Sequence, residues 1–268
     1  MHDLPGGGRH GDPGQVRSDG CRRAALPRVN KPTGPGLVYR LKELLVARVI
    51  AFDVNETLLD LRALDEIFEE LLGSASLRPQ WFTLMLQLAF TGGLTGQYVD
   101  FTTAQRAALA MLAEREGVPL TASDIDGLVG QMSSLPPHPE VPGALAALAR
   151  TRLRLVALTN SVQHIAEAQL ASAGLSDYFE AVISAGTTGH LKPAPEPYHA
   201  VAGRCGVPIG EVRLVAAHSW DIAGALAAGC QAAFVARPGM VLSPLSDPPG
   251  ITGPDLAAVA EQLISIDG

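Results

Sequence analysis

The period of the hydrophobic residues changes twice along this chain, and the changes divide it into three parts. Residues 1–36 have no period, because eight Gly and five Pro interrupt every run. Such a stretch cannot bury enough apolar surface to offset its ordering entropy, so residues 1–46 are expected to be a disordered N-terminal extension. Residues 48–53 then form an apolar run that reads as a buried strand. Residues 64–72, 81–90 and 103–115 repeat apolar positions at helical spacing. Gly92-Gly93 and Gly117-Val118-Pro119 punctuate them, and Thr121-Ala122-Ser123-Asp124 starts a further helix. Beyond Pro136-Pro137-His138-Pro139 the period alternates. Helices at 142–150, 162–173, 197–205 and 221–228 interleave with strands at 153–158, 181–184, 212–217 and 232–235. Strands separated by helices in this way imply right-handed parallel crossovers. The expected fold class is α/β, a doubly wound parallel sheet made by residues 47–62 and 136–268. An all-helical cap, residues 63–135, is inserted after the first strand.

That topology assigns places to the polar residues. In open α/β sheets, ligands bind outside the carboxyl ends of the strands. Those ends carry Asp53 with Asn55 and Thr57, Thr159-Asn160, Lys192 with Tyr198, and His218 with Trp220 and Asp221. A carboxylate delivered onto a turn by a buried strand is placed as a nucleophile. A second Asp two positions later would protonate an alkoxide leaving group, and Asn55 cannot. Any leaving group displaced by Asp53 is therefore expected to depart without a proton.

The set Asp53-Val54-Asn55-Glu56-Thr57, Leu158-Thr159-Asn160, Lys192-Pro193 and Ala217-His218-Ser219-Trp220-Asp221 resembles the four ordered motifs of the haloacid dehalogenase (HAD) superfamily. The chain looks most like its type II (S)-2-haloacid dehalogenase branch. Tyr198 six residues beyond Lys192, the Ser219-to-Ala225 segment and Arg237-Pro238-Gly239-Met240 support that branch. The resemblance implies a HAD/Rossmann-like core and a hydrolase that converts a short 2-haloacid to a 2-hydroxy acid through an aspartyl ester. Asp53 would attack the halogen-bearing carbon, and Thr57 would hold its loop. Lys192 would neutralise Asp53 with support from Tyr198. Asp221 would anchor Lys192 and help activate water. Thr159 and Asn160 would bind the substrate carboxylate or the nucleophile, Asn55 and His218 would lie on the substrate side, and Trp220 and Phe101 would wall the pocket. No metal or other cofactor is implied, and relatives of this branch often form homodimers.

The departures are as specific as the matches. Asn55-Glu56 stand where the family usually has an aromatic residue and Gly, and Ala216 and His218 replace a Ser and an Asn. The family's lid Arg falls near Trp81-Phe82, and the nearest cation is Arg78, about one helical turn away. Two other readings follow from the same fold: a magnesium-dependent phosphatase and a catalytically silent binding protein. The phosphatase lacks both its motif-one acid, at Asn55, and its usual motif-four carboxylate, at Ala217-His218.

Bulk properties narrow the setting. The net charge of −7 splits into +4 over residues 1–46 and −11 over the rest, which argues against nucleic acid or an anionic membrane as partner. Cys21, Cys205 and Cys230 have no CxxC spacing and fit a reducing cytoplasm. A small-molecule substrate is the expected partner.

Overall fold

The computed structural model describes residues 47–268. The readings made for residues 1–46, including Cys21, lie outside them. Strand β1 (Val49–Phe52) is apolar at every position and buried on both faces. It sits in the middle of a six-stranded sheet with β2 (Arg154–Thr159), β3 (Ala181–Ser184), β4 (Val212–Ala216), β5 (Gln231–Val235) and β6 (Ile251–Gly253). The order is β3-β2-β1-β4-β5-β6 with every pairing parallel. Phe52 is in register with Ala157 on one side and Val215 on the other. The order reverses at β1, so a crevice opens beyond its carboxyl end. That is where Asp53 stands, its N–H donating to Val215 O at 3.0 Å.

Four helices follow β1: α1 (Asp65–Leu72), α2 (Leu77–Leu94), α3 (Phe101–Glu116) and α4 (Ala122–Gln131). Trp81 on α2 is fully buried, and its indole N–H donates to Gln105 O of α3 at 2.9 Å. Thr121 and Asp124 form a capping box at the start of α4, as Thr121-Ala122-Ser123-Asp124 foretells. The chain then returns through α5 (Val141–Leu148), α6 (Gln163–Ser172), α7 (Pro195–Cys205) and α8 (Ser219–Ala227) between the strands.

Two readings of the pattern need correction. Gly92-Gly93 do not punctuate a helix, because α2 runs through them to Leu94. A helical glycine costs only about 1 kcal/mol, and at Gly92 a Cβ would meet Gln97 O at 2.6 Å. The glycine is there so that the following turn can fold back on the helix. The pattern also stops at residue 235, whereas the sheet gains β6 and is covered by α9 (Leu256–Asp267). Asp267 closes this end, accepting from Ala47 N at 2.9 Å and from Arg213 Nε at 2.7 Å. Among the described residues, no helix is long and apolar enough to cross a membrane.

Candidate active site

Lys192 has no solvent exposure, and each of its three ammonium protons has an acceptor. Its Nζ donates to Asp53 Oδ1 at 2.9 Å, to Asp221 Oδ2 at 2.6 Å and to Leu158 O at 2.9 Å. Tyr198 donates to the other oxygen of Asp221 at 2.6 Å. Thr57 donates to Asp53 Oδ2 at 2.7 Å and accepts from Ala217 N at 2.9 Å, which ties the β1 loop to the end of β4. Gly224 allows α8 to close on this cluster, since a Cβ there would come within 2.6 Å of both Pro193 Cβ and Tyr198 Oη.

Burial sets the electrostatics. Alone it would raise the Asp53 carboxyl, but the Lys192 charge, the bond and charge of His218 and the Thr57 hydroxyl hold it far below the carboxylate range. Burial would lower the Lys192 ammonium, and Asp221 and Asp53 together keep it above its ordinary value. Asp221 moves the other way: burial and the neighbouring Asp53 push it up against the pull of Lys192 and Tyr198. Asp53 is therefore a bare carboxylate beside a fixed cation.

His218 enters from the end of β4. Its Nδ1 lies 3.0 Å from Asp53 Oδ2, and its Nε2 lies 2.9 Å from Glu56 Oε2. Phe82 stacks on one side of the ring at 5.5 Å, with Trp220 also stacked at 5.2 Å. Glu56 adopts φ 59°, a left-handed conformation that is strained for a residue with a side chain. The family pattern expects Gly here, so this chain keeps the glycine-like backbone and adds a carboxylate aimed at His218. Arg78 reaches Glu56 at 3.4 Å and Asp65 at 2.5 Å. Positive and negative groups thus alternate from Arg78 through Glu56, His218, Asp53 and Lys192 to Asp221.

Burial alone would lower the His218 imidazole, but its bonds to Asp53 and Glu56 and their charges lift it to about 9 from 6.5. The folded state therefore holds this proton more tightly than the unfolded chain. The resulting stabilisation is complete below pH 6.5 and is lost as pH rises through about 9. Chemical denaturation across that window should show the parent's midpoint falling with pH. His218→Asn should lack this component, and an identical decline in both proteins would show that His218 is not its source.

Several expected site residues do other work. The Asn160 side chain is engaged by the lysine loop: its Nδ2 donates to Lys192 O at 3.1 Å and its Oδ1 accepts from Lys192 N at 2.8 Å. Thr159 is fully buried, with its hydroxyl accepting from Ser161 N at 3.1 Å. Asn55 donates to Ser161 Oγ at 3.1 Å and accepts from Gln169 Nε2 at 2.9 Å, bracing the loop after β1. Phe101, the first residue of α3, packs in the core and not in the pocket wall. Trp220 does line the cavity described next. Sequence reasoning missed Glu56 as the partner of His218. The available signal was that both positions depart from the family pattern.

The donor set around Asp53 does not suit a hard divalent cation, which seeks several oxygen ligands. Lys192 and His218 already face the two carboxylate oxygens, and among the described residues no cluster of three His, Cys, Asp or Glu is placed to hold a metal.

A cavity of about 770 Å³ opens above His218, between α2 and the segment around Met240. Glu56, Phe82, Leu86, Phe90, Trp220 and Val241 are among its walls. A family model described as haloacid dehalogenase-like hydrolase matches residues 47–229. The chain belongs to this family. The (S)-2-haloacid dehalogenase of Xanthobacter autotrophicus is 30% identical over 192 residues, which cover 71% of this chain and 75% of that one. Haloacetate dehalogenase H-2 of Moraxella sp. (strain B) is 28% identical over 212 residues, 78% of this chain and 95% of its own. A solved structure of L-2-haloacid dehalogenase from X. autotrophicus with chloropropionic acid covalently bound matches with a TM-score of 0.77 at 25% identity, over 82% of this chain and 99% of that one. Within the haloacid dehalogenase-like hydrolases, the buried Asp–Lys–Asp cluster of this chain is joined to a His–Glu pair.

Proposed function

We propose that this hydrolase releases halide from 2-haloacids by forming and hydrolysing an ester on Asp53. The observation that carries the reading is Asp53 itself, held ionised between Lys192 and His218, with Asn55 at the position where a leaving-group acid would stand. Halide needs no such proton. Relatives of both substrate names, haloacetate and (S)-2-haloacid, support the same chemistry.

The geometry favours Asp53 Oδ1 as the attacking atom. Each carboxylate oxygen offers two in-plane lone pairs. Oδ2 faces two donors, Thr57 and His218, whereas Oδ1 faces Lys192 alone. Oδ1 attacks C2, the carbon–halogen bond breaks, and halide leaves with the bonding pair. The substrate carboxylate would lie near the first turn of α8, where Ser219 and Trp220 line the cavity and their N–H groups precede the first cap bond, from Asp221 N to His218 O at 3.1 Å.

Ester formation removes the Asp53 charge, and with it one of the two carboxylates that support the His218 proton. The imidazolium then releases that proton, and its freed Nδ1 takes one from the attacking water while Glu56 holds Nε2–H. Water oxygen bonds to Cγ of Asp53, where Thr57 donates to the developing oxyanion on Oδ2. Collapse expels the alkoxide, which takes a proton from the new carboxyl. Halide, one proton and a 2-hydroxy acid are the net products, and water oxygen remains in Asp53.

Single-turnover hydrolysis of (S)-2-chloropropionate in oxygen-18 water should label Asp53, with halide release unaffected by EDTA. Label found only in the product would sink the covalent route. His218→Ala should alkylate but deacylate at least about a hundredfold more slowly, the typical scale of a lost general base. Intact-protein mass spectrometry should therefore catch it carrying one propionate unit. An unmodified variant turning over at the parent rate would remove His218 from the mechanism.

The same reading places the protein in the cytoplasm, where Cys205 and Cys230 would stay as buried free thiols. A small molecule is its partner, and its acidic balance disfavours nucleic acid.

A further inference from the structure

The cavity above His218 is far larger than an acid of a few heavy atoms requires. Its volume of about 770 Å³ falls within the range of sites that enclose drug-sized ligands, about 300–1,000 Å³. The charged groups in its wall, Glu56 and His218, are buried or half-buried and bonded to each other. Asp53 lies directly behind them, 3.0 Å from His218. Elsewhere Phe82, Leu86, Phe90, Met240 and Val241 line it, together with the uncharged polar Thr83, Gln87 and Thr91. Phe82 occupies the neighbourhood where the family pattern expects the lid Arg, and its ring covers the His218 imidazole. The rim mixes exposed Thr83, Gln87 and Thr91 with large apolar side chains. Leu94 and Val241 are 89% and 77% exposed, large hydrophobic side chains left in water where the cavity opens. Phe90 and Leu94 also line a second cavity of about 520 Å³, which continues past Gly93 to Leu191 and Pro193.

One end of the site is therefore ionic and reactive, and the rest is a largely apolar channel leading outward. We propose that the substrate is a 2-haloacid whose C2 substituent is an extended apolar group, a medium-length alkyl chain or a phenyl ring. This rests on the dehalogenase reading above and adds its substrate class. The reactive carbon lies at the Glu56–His218 end, the part of the wall nearest Asp53, and the substituent lies along Phe82, Leu86 and Phe90 toward Leu94 and Val241. A methyl substituent would cover only a small part of this wall. A longer chain removes apolar surface from water on both partners.

The test is bromide release from an (S)-2-bromo acid series: propionate, butanoate, hexanoate and octanoate, with (S)-2-bromo-2-phenylacetate as the aryl member. Burial of one methylene is worth ~0.8 kcal/mol, so kcat/KM should rise about fourfold per added methylene through hexanoate, mainly through KM. In Leu86→Arg, which puts a cation across the channel, the hexanoate-to-propionate ratio should fall at least about tenfold. Release from bromopropionate with kcat/KM flat or falling along the series overturns the substrate class and leaves the dehalogenase reading standing. Release from no member overturns both. An unchanged ratio in Leu86→Arg excludes this cavity as the seat of the chain.

Discussion

Asp53→Asn should abolish halide release, lowering kcat/KM by at least about 10⁴-fold, the scale at which removal of a covalent nucleophile is usually felt. An amide lacks the charge that displaces halide, and no other described carboxylate stands in its place. Asp221 is fully buried behind Lys192, and Glu56 faces His218. The variant should nevertheless fold. Lys192 keeps its bonds to Asp221 and to Leu158 O, and Thr57 keeps Ala217 N. The network also has a route back to neutrality, because His218 loses one of the two carboxylates that raise it to about 9. Its imidazole signal should therefore titrate lower by NMR in Asp53→Asn than in the parent. Loss of activity with an unmoved His218 titration would mean that the His218–Asp53 contact is not made in solution. Residual turnover within a hundredfold of the parent would remove Asp53 from the role of nucleophile.

The parts of this site that were legible in the sequence are those fixed by topology. A buried strand run, 48–53, ends at Asp53, and the alternation that follows obliges Lys192, His218 and Asp221 to the same sheet edge. Hydrophobic period reports such placement because each strand face must be buried. It does not report which hydrogen bond a side chain makes once it arrives. Asn160 was legible as a site residue, but its amide is taken up by the backbone of Lys192, a partner 32 residues away. Asn55 is likewise committed to Ser161 and Gln169. Phe101 belongs to the core because it opens α3, and an aromatic at a helix start reads the same whether it faces a pocket or a core. The C-terminal β6 has only three residues, too few for a period, and its place at the sheet edge is set by pairing to β5. Glu56 and His218 are more instructive. Each is merely an exception when compared with the family pattern alone. Together they are one substitution, a carboxylate and an imidazole 2.9 Å apart, and neither makes sense without the other.

Lys192→Met tests the other half of the charge network, and its largest effect should be on stability. The parent buries two carboxylates against one ammonium, with Lys192 fully shielded from water. Removing the ammonium leaves Asp53 and Asp221 facing the same apolar space. Breaking a buried pair on one side typically costs about 3–5 kcal/mol, which for a chain of this size lowers Tm on the order of 10 °C. The pH dependence fixes the cause. In the parent, Asp53 titrates below its ordinary value, so its contribution is present above pH 3.8 and is lost as pH falls. Without Lys192, burial and the neighbouring Asp53 raise the Asp221 carboxyl further while Asp53 keeps only His218, so the folded state binds protons more tightly than the unfolded chain. That reverses the sign: the variant should be least impaired near pH ~4 and lose stability as pH rises past the ordinary carboxylate range. Lys192→Met combined with Asp221→Asn removes one of the two stranded charges and should recover part of the lost Tm. It should not recover halide release, because Asp53 still lacks the ammonium that faces Oδ1. A single variant whose Tm deficit is independent of pH would indicate a packing defect in place of stranded charge. Recovery of activity in the double variant would show that Lys192 serves only to neutralise Asp221.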